Sequence, residues 1–462
     1  MRILISNPTI VNNGEQFQGS IVVNNGKITE ILRGNALPRT ACDEIVEATG
    51  LYLIPGVIDD HVHFREPGLT HKANIQSETR AAAAGGVTSF MEMPNTVPQT
   101  TTLKALKEKF AIAAKDSAIN YSFYFGATNK NVDSFSKLNR NRVCGIKLFM
   151  GSSTGNMLVD KAAELEKIFA EATRLDMPVA VHCEESNIHE KPVLVHCEDE
   201  ATIKANLAGA IERYGEDIPF EEHEHIRSRQ ACIRSSIKAL ELAMKHGTRL
   251  NVMHISTAQE LELLSSTPVQ EKRITAEVTP AHLTFCDKDY ARLGTRIKCN
   301  PAIKSIEDRE ALRKAVADGR IDVVGTDHAP HLPKDKEGGA LKAASGMPSI
   351  QFSLLAMLRL ADEGAFTLET LVEKMCHAPA RIYNVEKRGF IEKGYHADFV
   401  LLNPDRAHTV TADDIMSKCG WSPFEGETFD WAVEQTWVNG ECVYRNGRIN
   451  EEVRGKALKF NR

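Results

Sequence analysis

Long apolar runs are missing from this chain, and no stretch approaches the roughly 20 consecutive apolar residues of a membrane span. The opening MRILISNPTIVNNG alternates like a strand and lacks the continuous apolar centre of a signal peptide. A basic block is missing too: net charge is −6 and charged residues make up 26% of the chain, so the electrostatic footprint of a nucleic-acid binder is absent. The ten cysteines show no C-x-x-C spacing, which excludes the usual zinc-ribbon and redox motifs. Several, such as Cys144, Cys183 and Cys197, sit in apolar strand-like contexts as small core residues do, so no disulfide is expected. These absences leave an enzyme acting on a small molecule, expected in the cytoplasm, with no nucleic-acid or membrane partner.

At 462 residues the chain can bury a large core, enough for one big domain and a smaller one. Short alternating strands with NNG turns fill residues 1–55, and ADFVLLNP and WAVEQTWVNGECVYRNG give residues 392–462 the same texture. The two ends are expected to combine into one small β-sandwich domain. Between them, at 56–391, helix-period stretches (NIQSETRAAAAGG, KAAELEKIFAEATRL, SSIKALELAMKHG) alternate with apolar runs. The runs are GVIDDHVHF, GVTSFMEMPN, NYSFYFGAT, CGIKLFMGS, PVLVHCEDE, RLNVMHIS, RITAEVTPAHL and IDVVGTDHAP, eight strand candidates in all. The pattern predicts an α/β fold, a (β/α)8 TIM-like barrel with its chemistry at the C-terminal strand ends. His61, His63, Asn95, Lys147, His196, His254, His282 and Asp327 fall there.

His61 and His63 lie two apart on a strand-like run, so both imidazoles share a face and can reach one metal ion. Single histidines on two further runs and Asp327 on the eighth extend that set to a two-metal site. Lys147 is the anomaly, since an ammonium cannot bind a cation and an unpaired charge at a buried strand end is costly. Reaction with carbon dioxide resolves it, because the resulting carbamate is anionic and has two oxygens for two metals. The fifth run is duplicated: PVAVHCEESNIHEK (178–191) is followed at once by PVLVHCEDEATIKA (192–205). One copy can fill the fifth position. His196 is expected there, because CEDEATIKANL opens a helix with acidic residues in its first turn; His182 is the alternative, in a segment before or beside the strand.

DDHVHFREPGLTHK, GGVTSFMEMPNT, GIKLFMGSSTGNM, VHCEDE, MHIST, GTDHAPH and WSPFEGETF together resemble the dihydroorotases of the amidohydrolase superfamily, in order and over nearly the whole chain. The resemblance implies two zinc ions per subunit, bridged by an N6-carboxylated Lys147 and a hydroxide. It implies reversible cyclisation of N-carbamoyl-L-aspartate to L-dihydroorotate in pyrimidine synthesis, and a possible homodimer. His61, His63 and Asp327 would hold the more buried metal, and His196 and His254 the other. Asp327 would also shuttle the proton between hydroxide and leaving nitrogen. Arg65, placed on the same strand face as His63, offers a planar fork to the substrate carboxylate; by resemblance Asn95 and His331 join it, while Asn300 and the backbone at Gly346 contact the ring. Asp59 is expected to orient a ligand.

His223 and His225 in EEHEHIR repeat the two-residue spacing, but in a glutamate-rich stretch that reads as a solvated loop. His282 is expected to be structural or to support a ligand. Allantoinase and dihydropyrimidinase or hydantoinase are the neighbouring activities; both open neutral rings, and neither needs Arg65 for a carboxylate. A non-catalytic relative serving as scaffold for another pyrimidine enzyme is the alternative of a different class.

Overall fold

The computed structural model describes residues 1–150, 157–159, 161–182 and 200–462. Strands from the two ends of the chain share one sheet. Tyr52–Pro55 pairs in parallel with Thr9–Asn12 and antiparallel with Phe399–Asn403, placing Pro55 opposite Phe399. Ala432–Val438 and Glu441–Arg445 extend the sheet on the C-terminal side, and Glu15–Asn24, Arg2–Ser6 and Glu44–Glu47 on the N-terminal side. Ile5, Ile10, Ile21, Leu53, Phe399 and Trp437 form its core. The result is a β-rich domain built from both termini.

Pro55 leads through Gly56 directly into the barrel. Its parallel strands are Val57–Val62, Val87–Glu92, Asn120–Phe123 continued by Phe125–Gly126, Ile146–Phe149, Val179–His182, Leu250–Val252, Ile274–Val278 and Val323–Val324. The first two are buried at every residue, as expected for parallel strands covered on both faces, and this is why they read as apolar runs rather than alternations. The ring closes where Val62 bridges His328 in parallel and the His63 N–H donates to the His328 carbonyl at 2.8 Å.

The helices follow their periodicity. Ile75–Ala84 starts at Asn74, whose side chain accepts the Ser77 N–H in a capping box; Ala162–Arg174 and Arg229–His246 match the other two periodic stretches. Val179–His182 lies between Ile146–Phe149 and Leu250–Val252, with His182 opposite Phe149. The fifth strand is therefore the first copy of the repeat, not the second: the preceding helix turns tightly, with the Met177 N–H on the Ala172 carbonyl at 2.9 Å, and feeds this copy straight into the sheet. His196 lies outside the described residues. Among the described helices none is long and apolar enough to cross a membrane.

Candidate metal centre

His61 is the fifth residue of the first barrel strand, and His63 stands one past its end. Both rings are held at Nδ1. Glu277 Oε1, from the middle of the seventh strand, lies 2.8 Å from His61 Nδ1, and Asn95 Oδ1 lies 2.8 Å from His63 Nδ1. Both partners are oxygen acceptors, so each Nδ1 carries the hydrogen and each Nε2 keeps its lone pair. Those lone pairs meet at Asp327, whose Oδ1 is 3.1 Å from His61 Nε2 and 3.0 Å from His63 Nε2.

Burial pushes both imidazoles down to about 4, so they are neutral near pH 7. Asp327 brings a carboxylate oxygen to both Nε2 atoms. Two imidazole lone pairs and a carboxylate therefore converge, and the buried His61 Nε2 has no hydrogen-bond partner despite its proximity to Asp327. A cation among them turns repulsion into coordination. Among the described residues, this is the group whose donor atoms lie within 4.8 Å of one another. The donor set fits a metal ion.

Glu277 was not anticipated from the sequence, although a carboxylate inside ITAEV is the signal that could have found it. Besides His61 it accepts the His254 backbone N–H at 3.2 Å, so one buried side chain ties the first and sixth strands together. Gly325 makes room for it: a Cβ there would stand 2.7 Å from Asp60 Oδ1 and 3.0 Å from Glu277 Oε2. His254 follows the sixth strand in a left-handed conformation (φ 40°), its ring centroid 5.4 Å from that of His61. Lys147, fully buried, places Nζ 3.0 Å from Met253 Sδ. Asp59 accepts the His61 backbone N–H (3.2 Å) and two donors of Thr326, so it fixes the backbone of the ligand strand rather than an imidazole.

Arg65 is not on the strand face expected for it. It lies beyond the strand with φ 70°, and its Nε donates to the Pro330 carbonyl (3.0 Å) while Nη2 lies 3.0 Å from His331 Nε2. The left-handed turn brings it to the loop after the eighth strand. Asn300 accepts the Ser345 hydroxyl at 2.7 Å, and Gly346 (φ 122°) packs so closely that a Cβ would meet the Ala329 carbonyl at 2.8 Å. His282 links Thr279 (2.8 Å) to the Pro301 carbonyl (3.0 Å), a structural tie between the seventh strand and the Asn300 loop. His223 corrects the solvated-loop expectation: it is buried in the short helix His223–Ile226, with Nε2 3.0 Å from the Cys299 carbonyl, while His225 is exposed.

A barrel with metal donors at its C-terminal strand ends defines a class, and comparison gives it a family. Residues 52–443 match the amidohydrolase family. A dihydroorotase of Methanosarcina mazei is 31% identical, covering 99% of this chain and 97% of that one. An allantoinase of Desulfitobacterium hafniense is 29% identical, covering 99% and 98%. The L-hydantoinase (dihydropyrimidinase) structure from Arthrobacter aurescens superposes with a TM-score of 0.89 at 27% identity, covering 97% of each chain. The chain belongs to the amidohydrolase family. Within it, this is a metal-dependent cyclic amide hydrolase.

Proposed function

We propose that the chain is a dihydroorotase, interconverting N-carbamoyl-L-aspartate and L-dihydroorotate in pyrimidine biosynthesis. The observation that carries this reading is the buried Arg65 guanidinium paired with His331 beside the metal donors. Dihydroorotate has a ring carboxylate to meet it; allantoin, dihydrouracil and hydantoin do not. Dihydroorotases and allantoinases both stand among the relatives, so the charge of the pocket, not overall similarity, supports the choice. A scaffold role is disfavoured by the intact, converging donors of His61, His63 and Asp327.

We assign two zinc ions to the site. His61, His63 and Asp327 would hold one, and His254 with the fifth-strand histidine the other. His182 takes that place in preference to His196, because the strand carrying it occupies the fifth position. Lys147, fully buried on the fourth strand, would bridge them after its amine adds to carbon dioxide and loses a proton. When bound, the metals acidify a water and polarise the ring carbonyl. Asp327 takes up the water proton and returns it to the leaving ring nitrogen. Arg65, with His331, holds the carboxylate and so sets the ring over the site; Asn300 and Gly346 line the ring side. Asn95 has its carbonyl oxygen committed to His63, leaving its amide N–H groups for substrate.

Turnover of L-dihydroorotate beside allantoin, dihydrouracil and hydantoin, by zinc-supplemented enzyme at matched concentration and pH, tests this. Selective hydrolysis of dihydroorotate is expected. Preference for any neutral ring would reassign the substrate, and inactivity on all four with zinc bound would favour the scaffold.

A further inference from the structure

Asp327 turns through the left-handed region (φ 46°), a conformation that costs an L residue energy and persists where its neighbours are fixed. Asp59 fixes the residue before it, accepting the Thr326 N–H at 3.1 Å and the Thr326 hydroxyl at 2.6 Å. Glu78, the fourth residue of the helix Ile75–Ala84, fixes the residue after it: Glu78 Oε2 lies 2.8 Å from His328 Nε2. Both side chains of that pair are buried.

His328 is held at each of its polar groups. Its Nδ1 accepts the backbone N–H groups of Ser349 (3.1 Å) and Ile350 (3.2 Å) at the start of the helix Ile350–Asp362. A backbone N–H can only donate, so Nδ1 keeps its lone pair and the ring hydrogen sits on Nε2, facing Glu78. The His328 N–H donates to Thr326 Oγ1 at 3.0 Å, and its carbonyl accepts the His63 N–H at 2.8 Å. One residue thus stands between the metal donors His63 and Asp327. The charge on Glu78 follows from its partners. Oε2 faces the His328 Nε2–H, and Oε1 accepts the Lys418 backbone N–H at 3.1 Å. Each oxygen meets a group that can only donate, and an amide in its place would set its NH2 against one of them. The hydroxyls of Ser417 (2.6 Å) and Ser77 (2.7 Å) complete the set.

We propose that Glu78 is a positioning residue of the metal centre: through His328 it holds Asp327 in its left-handed turn and the His63 backbone against the eighth strand. This role needs the centre of His61, His63 and Asp327 but no particular ring substrate. Zinc affinity and the visible spectrum of the cobalt(II)-substituted enzyme test it. Glu78→Met keeps the bulk and removes both acceptors; it should raise the zinc Kd about tenfold, as loss of a partner behind a metal ligand does, and alter the cobalt bands. Glu78→Gln, whose carbonyl oxygen can still take the His328 Nε2–H, should recover most of the affinity. Ser417→Ala removes a different donor to the same carboxylate and should leave Kd and spectrum unchanged, whatever it costs in Tm. His328→Asn serves where Glu78→Met does not fold; the same rise in Kd is expected, and in the double variant the two effects should not add. Unchanged zinc affinity in Glu78→Met and His328→Asn, or an equal loss in Ser417→Ala, overturns the role of Glu78 while leaving the metal centre in place. A wild type that binds no zinc overturns both.

Discussion

At the scale of single residues, the positions of two hydrogens call for a metal. Glu277 and Asn95 accept at the Nδ1 atoms of His61 and His63, and the lone pairs left over point at an anion. Lys147 belongs to the same logic. Lys147→Ala should lose at least about 100-fold in turnover, as removal of an electrostatic element of a site does, and regain part of it with added short-chain carboxylic acids. Full activity with full metal content in the alanine variant would remove the bridging role. His282 gives a pH prediction. Burial pushes it from 6.5 to about 4, so between those values the unfolded chain binds a proton that the folded chain refuses. Its contribution is intact above pH 6.5 and is lost as pH falls toward 4, by at most about 3 kcal/mol for one group. Urea unfolding of wild type and His282→Gln at pH 7 and 4.5 should show a smaller acid loss in the variant. An equal loss in both would mean that His282 does not drive acid sensitivity.

At the scale of elements, the strands were legible because buried parallel strands are apolar throughout, and seven of the eight runs fall on observed strands, the fifth strand being the other copy of the repeat. The ends of those strands were less legible. Arg65, His254 and Asp327 all adopt positive φ (70°, 40° and 46°), and hydrophobic periodicity carries no information about a chain leaving the sheet through the left-handed region. Alternation along the strand therefore holds for His61 and His63, whose Nε2 atoms both face Asp327, and fails at Arg65. The repeat failed for another reason: both copies read P-V-x-V-H-C, so pattern cannot separate them, and the tight turn at Asp176 (φ 49°) that favours the first is a property of the preceding helix end. Metal analysis should find that His182→Ala loses zinc and activity while His196→Ala keeps both; the reverse would return the ligand role to His196. Deleting residues 183–196 joins His182 to Cys197 and recreates V-H-C-E-D-E ahead of the helix that begins at Glu200. That variant should fold and remain active, and its failure to do either would mean that both copies are needed.

At the scale of the whole molecule, the metal donors sit on the seam where the barrel closes. His61 and His63 come from the first strand and Asp327 follows the eighth, and the two are joined there by the Val62 to His328 bridge and the His63 N–H to His328 carbonyl bond. Without a cation, the lone pairs of His61, His63 and Asp327 oppose one another across this seam; with one, they become a cross-link between the first and last barrel strands. Metal should therefore stabilise the barrel as a body. At free zinc 100 times the Kd the linkage gives about 2.7 kcal/mol, which for a chain of this size corresponds to a rise in Tm of about 3 °C. Calorimetry of zinc-loaded and chelated enzyme should show that gap, and it should vanish in Asp327→Ala, whose seam no longer opposes lone pairs and no longer binds the ion across it. Hydrogen exchange should slow on zinc binding at residues 61–65 and 325–331, on the two sides of the seam, more than in the terminal β-rich sheet. Equal Tm with and without zinc, or protection spread evenly over both domains, would show that the barrel closes without help from the ion and that the donors serve chemistry alone.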